Sequence, residues 1–391
     1  MLLLTNGSVR LLFIAQALYW SCSLIGITLT SLVGLDLAPL PELATLPLAL
    51  LLVGNLACVH PLAMIMSRRG RRTGLFLGAV SGVIGGLIVA AGVYQAQFIL
   101  VCVGTLLIGG YQASAMYYRY AALEAVEDGQ KGRAAALVVG GGVLAALIAP
   151  EIASQTRDMV AIPFVGSYLA LAGLAMVAVI IMAMLRDGGV PVKTRAGGAV
   201  LLDLLRRPRL RGAIAVSAAG HGIMILVMTA TPLAMKFCGF DFDTAANVIR
   251  WHIIGMFLPA FVAGPMIDRF GPRLMAVIGA GALVLSVGFA VSGISFSAFL
   301  ISSFLLGIGW NLMLLAGTAL LGEGHDASER GHAQSLMELG NGITGTVASL
   351  ASGALIAGAG WNVINFGVLP VLIIAIVMMW VGTRHRVTQE A

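Results

Sequence analysis

The chain has 391 residues, of which 59% are hydrophobic and only 10% are charged, and its mean hydropathy is +0.98. Soluble domains carry about 25% charged residues, so this composition excludes an ordinary soluble protein and predicts that most of the chain faces lipid. A net charge of +6 would suit a nucleic-acid partner, but the basic residues lie in short segments between apolar runs. That distribution is typical of membrane loops, and we expect no nucleic acid.

Twelve apolar runs follow one another along the chain, and a helix needs about 20 apolar residues to cross the hydrocarbon core. Charged residues, prolines and glycines delimit them. In the first half they cover about 9–33, 42–66, 73–95, 97–123, 134–155 and 162–185. In the second half they cover about 213–235, 244–267, 274–293, 297–322, 333–358 and 362–382. The sequence therefore predicts an all-α integral membrane protein of about twelve transmembrane helices.

Lysine and arginine are distributed unevenly between the two sides of these helices. If the N-terminus is cytoplasmic, the cytoplasmic segments hold 19 of the 23 basic residues. Positive charge is retained on the inner side of membranes, so the distribution predicts that both termini are cytoplasmic.

The longest polar connection, 186–212, divides the chain near its middle. It holds four leucines between 201 and 205 beside Arg206, Arg207 and Arg209, a pattern that predicts a short amphipathic helix on the inner membrane surface. Two further basic residues of this connection are Lys193 and Arg195. We therefore predict an N-terminal bundle over 1–185, a cytoplasmic linker over 186–212 and a C-terminal bundle over 213–391.

The two halves repeat each other at nearly constant offsets. The segment 67–72, Ser-Arg-Arg-Gly-Arg-Arg, corresponds to 268–273, Asp-Arg-Phe-Gly-Pro-Arg, at an offset of 201. At an offset of 199, Gly-Tyr-Gln at 110–112 corresponds to Gly-Trp-Asn at 309–311. Two matching regions at almost one offset predict a duplicated six-helix unit and thus two pseudo-symmetric bundles, an arrangement found in carriers.

The block 264–273, which begins Gly-Pro-Met-Ile-Asp-Arg, resembles the loop signature G-x-x-x-D-R-x-G-x-R of major facilitator transporters. The copy in the first half departs from it, with Ala63 and Ser67 in place of glycine and aspartate. The segments 117–122, 309–311 and 360–362 are similar to a group of bacterial permeases in that class. The resemblance implies the major facilitator fold, in which helices 1, 4, 7 and 10 line a central cavity, and it implies a location in the bacterial inner (plasma) membrane.

Charged side chains of the signature loops are candidates for a latch that holds one conformation of the bundle. A carboxylate such as Asp268 can cap a neighbouring helix N-terminus, and arginines can pair with carboxylates or lipid phosphates. The alternative is that the arginines only fix topology. The candidates are Asp268, Arg269, Arg273, Arg68 and Arg72.

Four polar or ionisable residues within the spans are candidates for coupling or gating, because such groups are costly in a membrane. Arg119 either binds an anionic group or serves coupling, or else pairs with Glu124 or lipid phosphates. Glu338, with Asn341 on the same polar stripe of helix 11, either titrates during transport or forms a structural ion pair. Arg250 either joins an outer-gate network with Asp241 and Asp243 or anchors the helix at the interface.

Aromatic and amide side chains at midplane depth are candidates for substrate binding. The alternative is bundle packing, and for His221 a hydrogen-bonded packing role. Aromatic walls with two facing amides would suit a planar, polar organic solute. Together with Arg119, the candidates are Gln16, Tyr19, Trp20, Gln112, His221, Trp310 and Asn311.

Motifs of other functional classes do not occur in the sequence. No GxxxxGK[ST] loop, HExxH motif or clustered Cys/His set is found, so we expect no enzyme, no cofactor and no bound metal. The sequence favours a secondary transporter that moves a small organic solute through the lipid bilayer by alternating access, coupled to protons, with uptake favoured and a monomeric chain. The alternatives are an efflux antiporter for drugs or metabolites, and a transport-incompetent sensor with the same fold.

Overall fold

The computed structural model describes residues 5–40, 43–186 and 198–384, and α-helices make up most of this part. Those before the linker are α1 (Gly7–Leu37), α2 (Leu46–Arg69), α3 (Arg71–Tyr94), α4 (Phe98–Ala115), α5 (Tyr118–Glu124), α6 (Lys131–Gly140), α7 (Gly142–Arg157) and α8 (Val165–Met184). Those after it are α9 (Gly198–Arg206), α10 (Pro208–Phe237), α11 (Phe242–Phe257), α12 (Ala260–Phe270), α13 (Pro272–Val291), α14 (Phe296–Gly322), α15 (Arg330–Gly358) and α16 (Gly360–Arg384).

Twelve helical stretches in the described ranges are long and apolar enough to cross a membrane. This confirms the twelve predicted spans. The sequence did not predict that a span would consist of two helices, as do those formed by α4 and α5, by α6 and α7, and by α11 and α12. Pro259 explains the last interruption, since proline has no N–H for the helical ladder.

The described residues form two compact units. The first contains residues of 1–126 and 141–193, and the second contains residues of 127–140 and 194–391. Helix α6 thus belongs to the second unit although α7, which continues it, belongs to the first. The predicted boundaries at 185 and 213 stay a prediction, because 187–197 lie outside the described residues, as do Lys193, Arg195 and Arg386.

In the first unit, α2 and α4 approach each other through glycine. Gly54 of α2 lies against the backbone carbonyl of Leu106, and Gly109 of α4 lies against the backbone of Leu51 and Asn55. A Cβ at Gly109 would stand only 2.7 Å from the amide nitrogen of Asn55. Small residues allow this approach and the van der Waals contact that comes with it.

The second unit repeats the arrangement between α11 and α14. A Cβ at Gly255 would stand 2.5 Å from the carbonyl oxygen of Phe304, and a Cβ at Gly307 would stand 2.6 Å from both His252 O and Met256 N. Gly255 follows Gly54 by 201 residues, and Gly307 follows Gly109 by 198. Close glycine contacts therefore join the corresponding helices in both units, although Gly307 lies one residue before the position that matches Gly109 at the offset of 199.

The two signature loops turn on glycine. Gly70 between α2 and α3 has φ 91°, and Gly271 between α12 and α13 has φ 81°. Side chains rarely adopt this region, so both copies of the loop need glycine at this position. The helix that follows each loop begins at the next residue.

The predicted amphipathic segment forms α9. Leu204 is buried against the second unit, whereas Leu202 and Leu205 are exposed. The exposed leucines lie next to Arg206, so the helix has the apolar and basic composition that suits a membrane surface.

We predict that Gly307→Ala destabilises the protein, because the new Cβ would press on the α11 backbone at 2.6 Å. Overpacking of this kind costs about 1–3 kcal/mol. Gly281→Ala in α13 is the matched control, since nothing lies within 4 Å of its Cβ position. Alanine there gains about 0.5–1 kcal/mol over glycine in a helix. Thermal unfolding of the detergent-purified variants measures the difference, and equal melting temperatures would contradict the proposed close contact.

Candidate functional site

An aromatic cluster lies in the interior of the first unit, where α1 meets α4. Tyr19 packs edge-on against Tyr111 with 5.6 Å between ring centroids, and it tilts against Trp20 at 5.3 Å. Gln16, one turn earlier on α1, is also buried. Edge-to-face contacts of this kind fix ring orientation as well as burying area.

Three tyrosine hydroxyls of this cluster are buried without a hydrogen-bond partner among the described atoms. They belong to Tyr19, Tyr111 and Tyr118, whose side chains are at most 2% exposed. Ser23 and Gln112 lie near the Tyr19 hydroxyl, and Tyr118 lies near that of Tyr111, so weak polar contacts exist although no well-formed hydrogen bond is made. Leaving a buried polar group unsatisfied costs about 1–3 kcal/mol, so a ligand or water that bonded these hydroxyls would be bound favourably.

The structure brings together the predicted residues Tyr19, Trp20 and Gln112 and adds two that the sequence analysis did not select. Tyr111 could have been predicted from the sequence, because its equivalent in the internal repeat, Trp310, is a predicted substrate-binding residue. Tyr118 lies in the short helix α5, and the interruption of the span before it was not predicted.

A second cluster lies inside the second unit, where α10 meets α14. Trp310 Nε1 donates a hydrogen bond to His221 Nδ1 at 3.2 Å, and Phe257 packs edge-on against Trp310 at 5.9 Å. Asn311 Nδ2 donates to the carbonyl of Met256 at 2.7 Å, while its Oδ1 has no partner among the described residues. The repeat thus places an aromatic ring and an amide at equivalent positions of α4 and α14.

The polar stripe of α15 faces the interior of the second unit. Glu338 and Asn341 are buried, and Ser217 Oγ of α10 donates to Asn341 Oδ1 at 2.9 Å. Gly345 leaves room for the imidazole of His221, because a Cβ there would stand 3.2 Å from Nε2. Asn341 is therefore held by α10, and Glu338 lies on the same side one turn earlier.

Arg119 lies in α5, beyond the interruption at 116–117 that separates it from Gln112. It is 4% exposed, and it donates to the Met116 carbonyl at 3.1 Å and to Tyr120 Oη at 3.2 Å. Glu124, its predicted alternative partner, instead forms a two-point ion pair with Arg71, with Nε to Oε2 at 3.0 Å. The role of Arg119 in binding or coupling stays a prediction.

Asp268 of the signature loop caps the start of α6 within the second unit. Its Oδ1 accepts from the Gly132 amide at 2.8 Å, and its Oδ2 accepts from the Arg133 amide at 3.2 Å. A carboxylate at a helix N-terminus bonds free amides and complements the helix dipole. A side chain at 132 would collide with Asp268, so Gly132 is part of this contact.

The signature arginines differ in their surroundings. Arg273 pairs with Glu323 at 3.3 Å. In the first unit the equivalent carboxylate, Glu124, pairs with Arg71, one residue before the position that matches Arg273. Arg68, Arg72 and Arg269 are exposed.

The outer-gate network predicted around Arg250 does not form among the described side chains. Asp241 accepts from the Thr244 amide at 2.7 Å and so caps α11, and this bond lowers the pKa of Asp241. Arg250 is exposed and makes no ion pair with a described side chain. A local helix cap therefore holds Asp241, and a gating role for Arg250 stays a prediction.

A buried carboxylate that was not among the sequence candidates joins Arg207, between α9 and α10, to the start of α15. Glu329, 1% exposed, accepts two hydrogen bonds from Arg207, each of 2.8 Å. These bonds raise the pKa of Arg207, so its charge is retained. Glu329 also closes a capping box with Asp326, and that spacing in the sequence was a usable signal.

Comparison with known proteins decides the family. A family model for the Major Facilitator Superfamily matches residues 248–390. The riboflavin transporter RfnT of Brucella anthropi is 36% identical over 374 residues, which cover 95% of this chain and 94% of that protein. The chain belongs to the major facilitator superfamily. An uncharacterized MFS-type transporter, YddS of Bacillus subtilis, is 28% identical over 91% of this chain and 86% of its own length.

Solved structures of major facilitator transporters share the fold. FucP in the outward conformation superposes with a TM-score of 0.76 at 14% identity, covering 97% of this chain and 98% of that one. The human organic anion transporter MFSD10 superposes with a TM-score of 0.79 at 10% identity, covering 95% and 99%. This major facilitator protein is therefore a multi-pass membrane transporter of small molecules and not an enzyme.

We predict that Glu329→Gln destabilises this transporter much more than Asp203→Asn. Hydrogen bonds to charged groups contribute about 1.5–3 kcal/mol, and Glu329 is buried. Asp203 pairs with the same Arg207 but is 56% exposed, and exposed i,i+4 pairs contribute about 0.3–0.5 kcal/mol. Thermal unfolding in detergent compares the two, and equal shifts in melting temperature would refute the anchoring role of Glu329.

Proposed function

We propose that the protein takes up riboflavin, or a flavin of the same shape, across the bacterial inner membrane. The similarity to RfnT supports this proposal, because 36% identity extends over nearly the whole of both chains. The sequence analysis independently favoured a planar, polar organic solute.

The chemistry of the two aromatic clusters supports a flavin. Riboflavin has a flat aromatic ring system with carbonyl and imino groups, and it has a side chain with several hydroxyls. Aromatic rings such as those of Tyr19 and Trp310, which are buried, and of Trp20, which is half-buried, suit the ring system. The observation that carries the proposal is the set of three tyrosine hydroxyls without partners, since a substrate rich in hydroxyl groups can satisfy them.

The proposed mechanism is alternating access of a monomer that has two bundles, 1–185 and 213–391, joined by the linker 186–212, with both termini cytoplasmic. A proton moves with the substrate, so an inward proton gradient drives uptake. In this scheme Asp268 stabilises one conformation by holding α6, and it releases the α6 amides when that conformation is left.

Purified protein in liposomes should accumulate riboflavin when the outside is made acidic, and a protonophore should abolish the accumulation. Tyr19→Phe and Tyr111→Phe should each raise the KM about tenfold, the effect of roughly 1.4 kcal/mol per lost hydrogen bond. Neither should lower the melting temperature, because neither hydroxyl bonds a described atom.

Tyr168→Phe is the matched control, since the Tyr168 hydroxyl bonds Thr30 at 3.0 Å. It should lower stability and leave KM unchanged. An unaltered KM in both test variants would remove the cluster from the site, whereas absence of riboflavin transport by the unaltered protein would refute the substrate.

Asp268→Asn should slow turnover more than it weakens substrate binding. The amide loses the charge that bonds the two α6 amides, and such charge-assisted bonds contribute about 1.5–3 kcal/mol. Riboflavin exchange rates and equilibrium affinity, measured on the same preparation, separate the two effects. A collapsed affinity with unchanged turnover would overturn the assignment of Asp268 to the conformational cycle.

A further inference from the structure

The hydrogen bond between Trp310 and His221 fixes the protonation state of the histidine. An indole N–H can only donate a hydrogen bond, so His221 Nδ1 must accept with a free lone pair. The structure therefore holds His221 as a neutral imidazole whose proton is on Nε2.

Protonation of His221 is incompatible with this bond. The added proton occupies the lone pair of Nδ1, and both ring nitrogens of the imidazolium are then donors. The Trp310 N–H would face another N–H, and the hydrogen bond between the two side chains would be lost. Proton binding and the Trp310 bond are thus alternatives at one nitrogen.

The helices packed against α10 leave His221 well placed to exchange a proton. His221 is half-buried, while Trp310 is 3% exposed. Helix α14 carries no charged residue, and Glu338 is the only carboxylate in α15. Glu338 precedes Gly345 by seven residues, or about 10 Å along the helix. His252 of α11 is occupied at Nδ1 by the Ser303 carbonyl at 2.7 Å.

The remaining charged and titratable groups on α10 and on the helices packed against it are Asp203 and Arg206 of α9, Arg209, Arg211 and Lys236 of α10, Asp243 and Arg250 of α11, Arg330 and His332 of α15, and Arg384 of α16. His221 is thus partly exposed, and its hydrogen bond with Trp310 breaks directly when a proton binds.

We propose that His221 is the residue that exchanges the transported proton, and that protonation releases Trp310 from its bond. The proposal deepens the proposed proton-coupled uptake and rests on it. Because Trp310 is packed against Phe257, its release changes the aromatic surface of the second unit. Binding of the proton therefore alters the proposed substrate surface by breaking one hydrogen bond, the one between Trp310 and His221.

Tryptophan fluorescence of the purified full-length protein without substrate tests this inference. A protonated imidazole quenches an adjacent indole, so the fluorescence should fall as a one-proton titration between pH 8 and pH 5. The titration should be lost in Trp310→Phe. It should also be lost in His221→Asn, whose Oδ1 replaces the Nδ1 acceptor without titrating. His325→Asn, which alters a histidine in the loop before α15, is the control and should retain it.

A titration that persists in His221→Asn and in Trp310→Phe would overturn the proposal, as would the absence of any titration in the unaltered protein. His221→Gln serves as the second variant if the asparagine protein does not fold. In liposomes, His221→Asn should lose accumulation driven by a pH gradient, whereas the control His325→Asn should retain it. If the unaltered protein moves no riboflavin, the substrate proposal fails, while the fluorescence titration still decides the role of His221.

Discussion

Direct contact between helix backbones, made possible by glycine, is the constraint on which both units depend. Lipid gives no hydrophobic force between helices, so close van der Waals contact must hold them together. Gly54 and Gly109 provide it between α2 and α4, and Gly255 and Gly307 provide it between α11 and α14. These contacts fix α4 and α14, which carry Tyr111 and Trp310 to their partners on α1 and α10. The positions of the aromatic clusters therefore follow from residues that have no side chain.

Long, strongly apolar runs made the twelve spans predictable, because a lipid-facing helix must be apolar along its whole length. The signature block likewise predicted the turn at Gly271 and the capping role of Asp268. The helix that Asp268 caps could not be predicted, since the Gly132 amide that it binds lies 136 residues earlier in the chain. Individual ion pairs could not be predicted from the sequence either. Glu124, for example, pairs with Arg71, which is 53 residues earlier in the chain and lies on a different helix.

Polar groups inside the two units divide into those that are satisfied and those that are not. Asn341 and Glu329 have bonded partners that tie helices together. The hydroxyls of Tyr19 and Tyr111 have none among the described atoms. In a protein interior the first kind adds rigidity, and the second kind is costly unless something else binds there. Sequence patterns cannot separate the two kinds, since both occur as polar residues within apolar helices.

The hydrogen bond of Asn311 limits how far a movement of the Trp310 side chain can be transmitted along α14. Its amide holds the backbone of α11 at 2.7 Å, one residue after the indole. If the Trp310 bond is broken, this neighbouring clamp resists rotation of α14 as a whole. The indole must then respond by changing its own rotamer. The indole ring then has two positions, and the helix that carries it does not shift. The response to the proton is therefore all-or-none, whereas a sliding helix would respond gradually.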